Sequence, residues 1–340
     1  MRISRLLAAA ALLTFLTGAV GCNRTPAAPP AAPPTTPPAQ PAPPPATPAP
    51  QRPADKEAMA FMASFLKARM AGDAAGASAM AVPSLAGKIR VSTPNARITA
   101  YAAELVGSSD PAAFNFQFRL GFTGVQPGSA VTVETGQITW QGGLKVAALA
   151  EPAPQSLALT VGKDGKLYLN RGQDTALVGD LATLPKMFSP FGAGPGVQFG
   201  VGKDGWAVAA TTLTGDKVLW VTRGGHPLLG VSQVNWSAAP AVTPLDLLFE
   251  AGAIDAAWAP TGKHVAVTVA QPSGNTDLMV WDPAAKQRFG PNLMNVIGMD
   301  YTVKQIRWES ATVVAFDVTQ GGKTTGPWRY DVISKALTKP

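Results

Sequence analysis

Apolar and polar positions alternate along this chain with two different periods. After Asp55, a residue suited to capping a helix, apolar side chains recur at Ala58, Phe61, Met62, Phe65 and Leu66, a stripe at helical spacing. Lys56, Glu57, Ser64 and Lys67 fall largely off it. Gly72 and Asp73 stop this helix, and a second, alanine-rich helix is predicted from Asp73 to Ala81, ended by Pro83. The period then drops to two. Phe114, Phe116, Phe118, Leu120 and Phe122 alternate with Asn115, Gln117, Arg119 and Gly121, the pattern of a half-buried strand. Further strands are predicted over 97–106, 130–140 and 144–149, with turns at 126–128 and 141–143. Two helices on an antiparallel sheet make residues 55–150 an α+β domain.

From 151 to 340 the pattern repeats. Val161-Gly-Lys-Asp-Gly-Lys166 returns as Val201-Gly-Lys-Asp-Gly-Trp206, and Trp258–Lys263 and Trp308–Val313 take equivalent places. Short apolar strands follow each, over 167–169, 207–210, 265–269 and 313–318. The Asp-Gly and Thr-Gly pairs suit hairpins, because glycine takes positive φ without steric cost. Small antiparallel sheets repeated in this way predict an all-β, propeller-like domain of about four blades. The repeat spacings of 40, 57 and 50 residues are irregular, so a closed ring and an opened one leaning on the first domain both fit. Residues 222–253, with Pro227, Pro240 and Pro244, read as a long insertion between blades.

The N-terminus changes the picture. Arg2 and Arg5 precede an uncharged apolar run of 15 residues from Leu6 to Val20, too short to span a bilayer and suited to a signal peptide. Cys22, the single cysteine, ends this segment. Residues 23–54 hold 14 prolines and form a stalk rather than a core, extended at about 3.1 Å per residue. The formal charge is +7, or +5 without Arg2 and Arg5, over a chain only 14% charged. No basic run is interleaved with aromatics, so nucleic acid is not an expected partner. With one cysteine there is no internal disulfide.

Ala19-Val20-Gly21-Cys22 resembles the lipobox of bacterial lipoproteins. That resemblance implies cleavage before Cys22, a diacylglyceryl group on its sulfur, and a protein held by lipid to the extracytoplasmic face of a membrane, cell surface or periplasm. Phe61–Gly72, reading FMASFLKARMAG, is similar to the NTF2-like and cystatin-like cone folds, which implies a helix laid on a curved sheet. Trp258-Ala-Pro-Thr-Gly-Lys263, the following strand and Trp281-Asp282 resemble TolB-like and WD40-like propeller blades. The whole order of segments is similar to LpqB-type lipoproteins, accessory partners of membrane signalling systems.

The chain offers little catalytic chemistry. His226 and His264 lie far apart and neither joins a second ligand at metal spacing. Asp164 and Asp204 belong to turns. Ser64-Phe-Leu-Lys67 and Lys323-Thr-Thr-Gly326 mimic motifs of penicillin-interacting enzymes, but no Ser-Asp-Asn intervenes. Gly192–Gly196 lacks the Lys-Ser/Thr of a phosphate loop. No cofactor, metal or catalytic residue is expected. Of the tryptophans in the second domain, Trp236 in the insertion is the candidate anchor for a partner, and the others read as packing between blades. The reading is of a non-enzymatic binding or scaffolding lipoprotein whose propeller-like domain meets a protein or envelope component. A ligand sensor using the N-terminal cone, and a hydrolase, are the alternatives.

Overall fold

The computed structural model describes residues 52–107, 112–124, 129–140, 142–180, 205–222, 228–249, 253–270 and 274–340. Cys22, the proline-rich tract, Gly192–Gly196, His226 and most of the Val201–Trp206 turn lie outside them. The described residues are mostly β, with one long helix before the first strand. Helix α1 runs Asp55–Ala71 and buries Ala58, Met62, Phe65, Leu66 and Met70. Its N-cap is Ala54, with no side-chain cap, so Asp55 is not the cap the sequence suggested. Asp55 lies instead in the first turn, where a carboxylate meets the positive end of the helix dipole. Gly72 ends the helix at φ 76°, a left-handed position with Ser92 O only 3.1 Å from where a Cβ would stand. Helix α2, Ala74–Ala79, is capped by Asp73 Oδ1, which accepts from Gly76 N at 2.8 Å.

Four antiparallel strands follow: β1 (Arg97–Val106), β2 (Ala113–Thr123), β3 (Ser129–Thr139) and β4 (Lys145–Ala150). The alternation in β2 does what its period predicts. Phe114, Phe116, Phe118, Leu120 and Phe122 are all buried and pack with α1 in one core. Each buried ring contributes about 1.5–3 kcal/mol. Strand β1 behaves differently on its two halves. Its pairing with β2 shifts between Ile98 and Ala100, a bulge at Thr99. Before it Ile98, and after it Tyr101, Ala103 and Leu105, join the helix-side core. Ala100 and Ala102 instead join the core of the later repeats.

Beyond residue 150 the chain forms successive antiparallel meanders. The first is β5 (Gln155–Val161), β6 (Lys166–Arg171) and β7 (Asp174–Asp180). The second is β8 (Trp206–Thr211), β9 (Lys217–Thr222), β10 (Leu228–Asn235) and β11 (Ala241–Phe249). The third is β12 (Ala253–Trp258), β13 (Val265–Ala270), β14 (Thr276–Asp282) and β15 (Gln287–Phe289). A short helix α3 (Leu293–Ile297) leads to the fourth: β16 (Tyr301–Trp308), β17 (Val313–Gln320), β18 (Lys323–Asp331) and β19 (Leu337–Thr338).

The turn joining first to second strand fixes the true repeat. Thr212 N donates to Lys217 O at 3.0 Å and Gly215 N to Thr212 O at 2.9 Å. The same two bonds link Ala259, Gly262 and His264, and the same pair recurs at Gly162, Gly165 and Lys166. Gly165, Gly215 and Gly262 all take positive φ there. With Glu309 N donating to Val313 O, equivalent turns start at 162, 212, 259 and 309. The steps are 50, 47 and 50, so the uneven spacing read from sequence is corrected. Val201–Trp206 misled because it enters a first strand, β8, whereas the other three turns enter a second strand. The expected insertion over 222–253 is likewise corrected, because its described residues 228–249 form the β10–β11 hairpin. Pro244 fits into β11 where the pairing with β10 slips between Val231 and Ser232, a bulge that tolerates proline.

First strands of consecutive meanders neighbour one another, β5 with β8, β8 with β12 and β12 with β16, a propeller-like arrangement. Buried tryptophans tie the meanders. Trp308 Nε1 donates to Ala257 O at 2.9 Å, and Trp281 Nε1 to Asp246 Oδ2 at 2.8 Å. Strands β1 to β3 join the same body. β3 pairs with β5 through Ser129 and Leu157, so one sheet crosses residue 150. β3 and β2 also meet β8, β2 and β1 meet β12, and β1 meets β16. Gly121 makes this approach possible: a Cβ there would stand 3.2 Å from Leu213 Cδ2.

Candidate ligand-binding cleft

Where β1 meets the last meander, the chain leaves a cleft of about 610 Å³. One wall comes from the end of α1 (Met70, Ala71, Gly72) and the segment Ser92–Ile98. A buried ionic network holds this wall. Arg69, fully buried, donates to both Glu134 oxygens at 2.7 and 3.3 Å and to Glu151 Oε1 at 2.7 Å. Its Nε reaches Arg90 O at 2.8 Å, and its carbonyl accepts from Ser92 N at 2.8 Å. A bidentate guanidinium at this position locks the helix end to β3 and to the connection beyond β4. Burial pushes the Glu134 carboxyl above the ordinary range, against the pull of the Arg69 bonds.

The opposite wall is a second irregular strand. β16 loses register with β17 between Lys304 and Arg307, and Gln305 takes φ 56°. A left-handed glutamine in a strand is strained and persists only where its surroundings hold it. Asp255 does the holding. Its Oδ2 accepts from Ile306 N at 3.0 Å, while its Oδ1 accepts from Arg97 Nη2 at 2.5 Å. One carboxylate of β12 therefore clamps both walls. Arg307 Nη1 turns back to Gln305 O at 3.0 Å and lies 3.6 Å from Asp317. Gly326 and Pro327 complete the rim, and a Cβ on Gly326 would stand 2.3 Å from Asp317 Oδ1, so any side chain there would displace the Asp317 carboxylate. Nearby, burial and the Glu309 charge push the Tyr101 hydroxyl up to about 12, so it stays protonated.

The residues singled out by sequence are not brought together here. Trp236 is half-buried, donates from Nε1 to Gly215 O at 2.7 Å, and carries the Arg171 guanidinium 4.3 Å above its ring. His264 is buried between Phe289 and Trp308, 3.8 Å from Asp282, and burial lowers its pKa. Ser64 bonds its own helix at Ala60 O, and Asp164 accepts from Tyr168 within its turn. The Phe114–Phe122 stripe fills the space between helix and sheet as core. Sequence reasoning missed Arg97, Gln305, Arg307 and Asp317. The β16 bulge that gathers them leaves no periodic signature.

No family model matches the chain, and no curated protein sequence matches it. Among solved structures it is similar to the β-propeller domain of the trilobed protease from Pyrococcus furiosus, a propeller of open velcro topology. Identity is 9% and the TM-score 0.32, over 72% of this chain and 83% of that one. It is also similar to Kluyveromyces lactis Hsv2, at 12% identity and a TM-score of 0.29, over 73% of this chain and 86% of that one. Puromycin hydrolase gives 13% identity and a TM-score of 0.32 over 72% of this chain, which spans only 38% of the hydrolase. The strand pairing, not these faint likenesses, carries the fold described above.

Proposed function

We propose that this chain is an extracytoplasmic lipoprotein, tethered to a membrane by lipid on Cys22, and that its folded part is a non-enzymatic binding protein. On this reading residues 23–54 are the stalk, the α+β part is NTF2-like, and the meanders are TolB-like or WD40-like blades. The binding face is the cleft between β1 and β16. One observation supports this most: the cleft combines a room-sized opening for a small ligand, two guanidiniums and a strained strand bulge. Such strain is concentrated at ligand clamps. The partner is an envelope component or a protein segment entering this cleft, not an occupant of the helix–sheet space, where phenylalanine rings already pack.

Two measurements test it. Cys22→Ala should move the protein from the membrane fraction to the soluble one, and persistence at the membrane would refute the anchor. A photoreactive residue at 305 should cross-link one envelope component in cells, whereas the same residue at exposed Lys67 should not. Equal labelling from both positions would refute the cleft.

A further inference from the structure

We infer that the cleft receives a short peptide by its free, charged ends, with the carboxylate read by Arg97 and Arg307 and the ammonium by Asp317. The inference rests on the reading of the cleft as the binding face. It starts from donors left unused. Arg97 reaches Asp255 through Nη2, and Arg307 reaches Gln305 O through Nη1. A guanidinium has five N–H donors in a planar fork. Nε and the second terminal nitrogen of each make no hydrogen bond to described residues, and both side chains are only partly exposed, at 22% and 16%. Two such forks in one cleft are suited to a planar carboxylate.

Charge then narrows the class. Arg97 is balanced by Asp255 and Arg307 by Asp317, so the site is close to neutral before any ligand enters. A phosphate or other polyanion would meet no net positive field. A molecule that is itself neutral overall but carries separated charges meets a complement for each. Asp317, 19% exposed and 3.6 Å from Arg307, supplies the acceptor for a positive end. Among the described residues no aromatic ring lines the cleft, so none of them offers the usual platform for a sugar. Pro94 and Pro327 give the lining its accessible apolar surface, suited to small side chains, with Met70, Ile98 and Ile306 buried behind it. The opening of about 610 Å³ falls in the range of small-molecule sites.

The test uses the full-length protein in detergent micelles and isothermal titration of four probes. These are tri-alanine with free ends, tri-alanine amide, N-acetyl-tri-alanine and inorganic phosphate. Tri-alanine should bind saturably, the amide at least tenfold more weakly, and the acetylated form several-fold more weakly. Phosphate should not compete. Arg307→Gln should weaken tri-alanine at least tenfold and abolish the preference over the amide, with the melting temperature as a check on folding. Asp317→Asn, a second variant, should erase only the preference over the acetylated form. Equal binding of free and capped peptides, tighter binding of phosphate, or no saturable binding would overturn the assignment. If cross-linking from position 305 persists while every peptide fails, the ligand class is wrong and the cleft stands. If both fail, the cleft falls with it.

Discussion

At the residue scale, His264 shows how a conspicuous side chain can serve packing alone. It faces Asp282 and, from neighbouring segments, Lys263 and Lys335, and lies edge-on to Phe289 and parallel to Trp308. Desolvation lowers its pKa, so the folded state holds it neutral where the unfolded chain would protonate it near pH 6.5. The unfolded state then binds more protons, and stability falls as pH drops from about 7 through 6.5 toward the folded value. Melting temperatures measured between pH 7.5 and 5.5 should decline in the native protein and decline less in His264→Gln. An unchanged slope in the variant would assign the acid sensitivity elsewhere. Only His226 competes as a histidine, because the chain has two.

At the level of elements, α1 is held to the sheet by apolar packing and by one buried cation. Arg69 is the sole charged residue on the buried face of α1 among the described residues. Removing it leaves the Glu134 carboxyl enclosed without its two hydrogen bonds from Arg69, with Arg90 Nη1 at 3.7 Å as its remaining cation. Arg69→Met should therefore cost about 3–5 kcal/mol, read from the urea midpoint. Adding Glu134→Met should restore a substantial part of that loss, since an apolar group then replaces a buried carboxyl that has lost its main partner. A double variant no more stable than the single one would mean that Glu151 and Arg90 set the cost instead. Elements were also where sequence was most legible. The phenylalanine alternation of β2, the α1 stripe and the Trp258–Lys263 turn each follow from a local period or a local turn chemistry. The β10–β11 hairpin was illegible because Pro240 and Pro244 mimic loop composition, and only the bulge explains how Pro244 is accommodated. The turn at 212–217 was missed because Val201–Trp206 copies the letters of its relatives while standing one strand earlier.

For the whole molecule, the shared sheet matters more than the boundary at residue 150. β3 pairs with β5, and Ala100 of β1 packs into the core of the third and fourth meanders. Residues 52–340 should therefore melt in one calorimetric transition, with equal calorimetric and van't Hoff enthalpies. Two separated transitions would show that the parts fold independently. The contact between Gly121 and Leu213 tests the same seam. Gly121→Val should destabilise by about 1–3 kcal/mol through overpacking, and Leu213→Ala in the same chain should relieve most of it. Additive effects would mean that the two sites do not press on each other. The binding cleft belongs to this scale too. Its residues are drawn from 70–72, 92–98, 305–307, 317 and 326–327, which no local pattern connects.

The single extra residue at Thr99 has a consequence beyond geometry. It keeps Ile98 on the helix side with Tyr101, Ala103 and Leu105, while Ala100 and Ala102 face the meanders. Deleting that one residue would alter the composition of neither core. Ile98 and Ala100 would become neighbours, still opposite Phe122 and Gly121, and Tyr101, Ala103 and Leu105 would stay toward the helix. Loss of the Thr99 codon should therefore be tolerated better than loss of a codon between Tyr101 and Leu105, which would send the side chains beyond it to the opposite face.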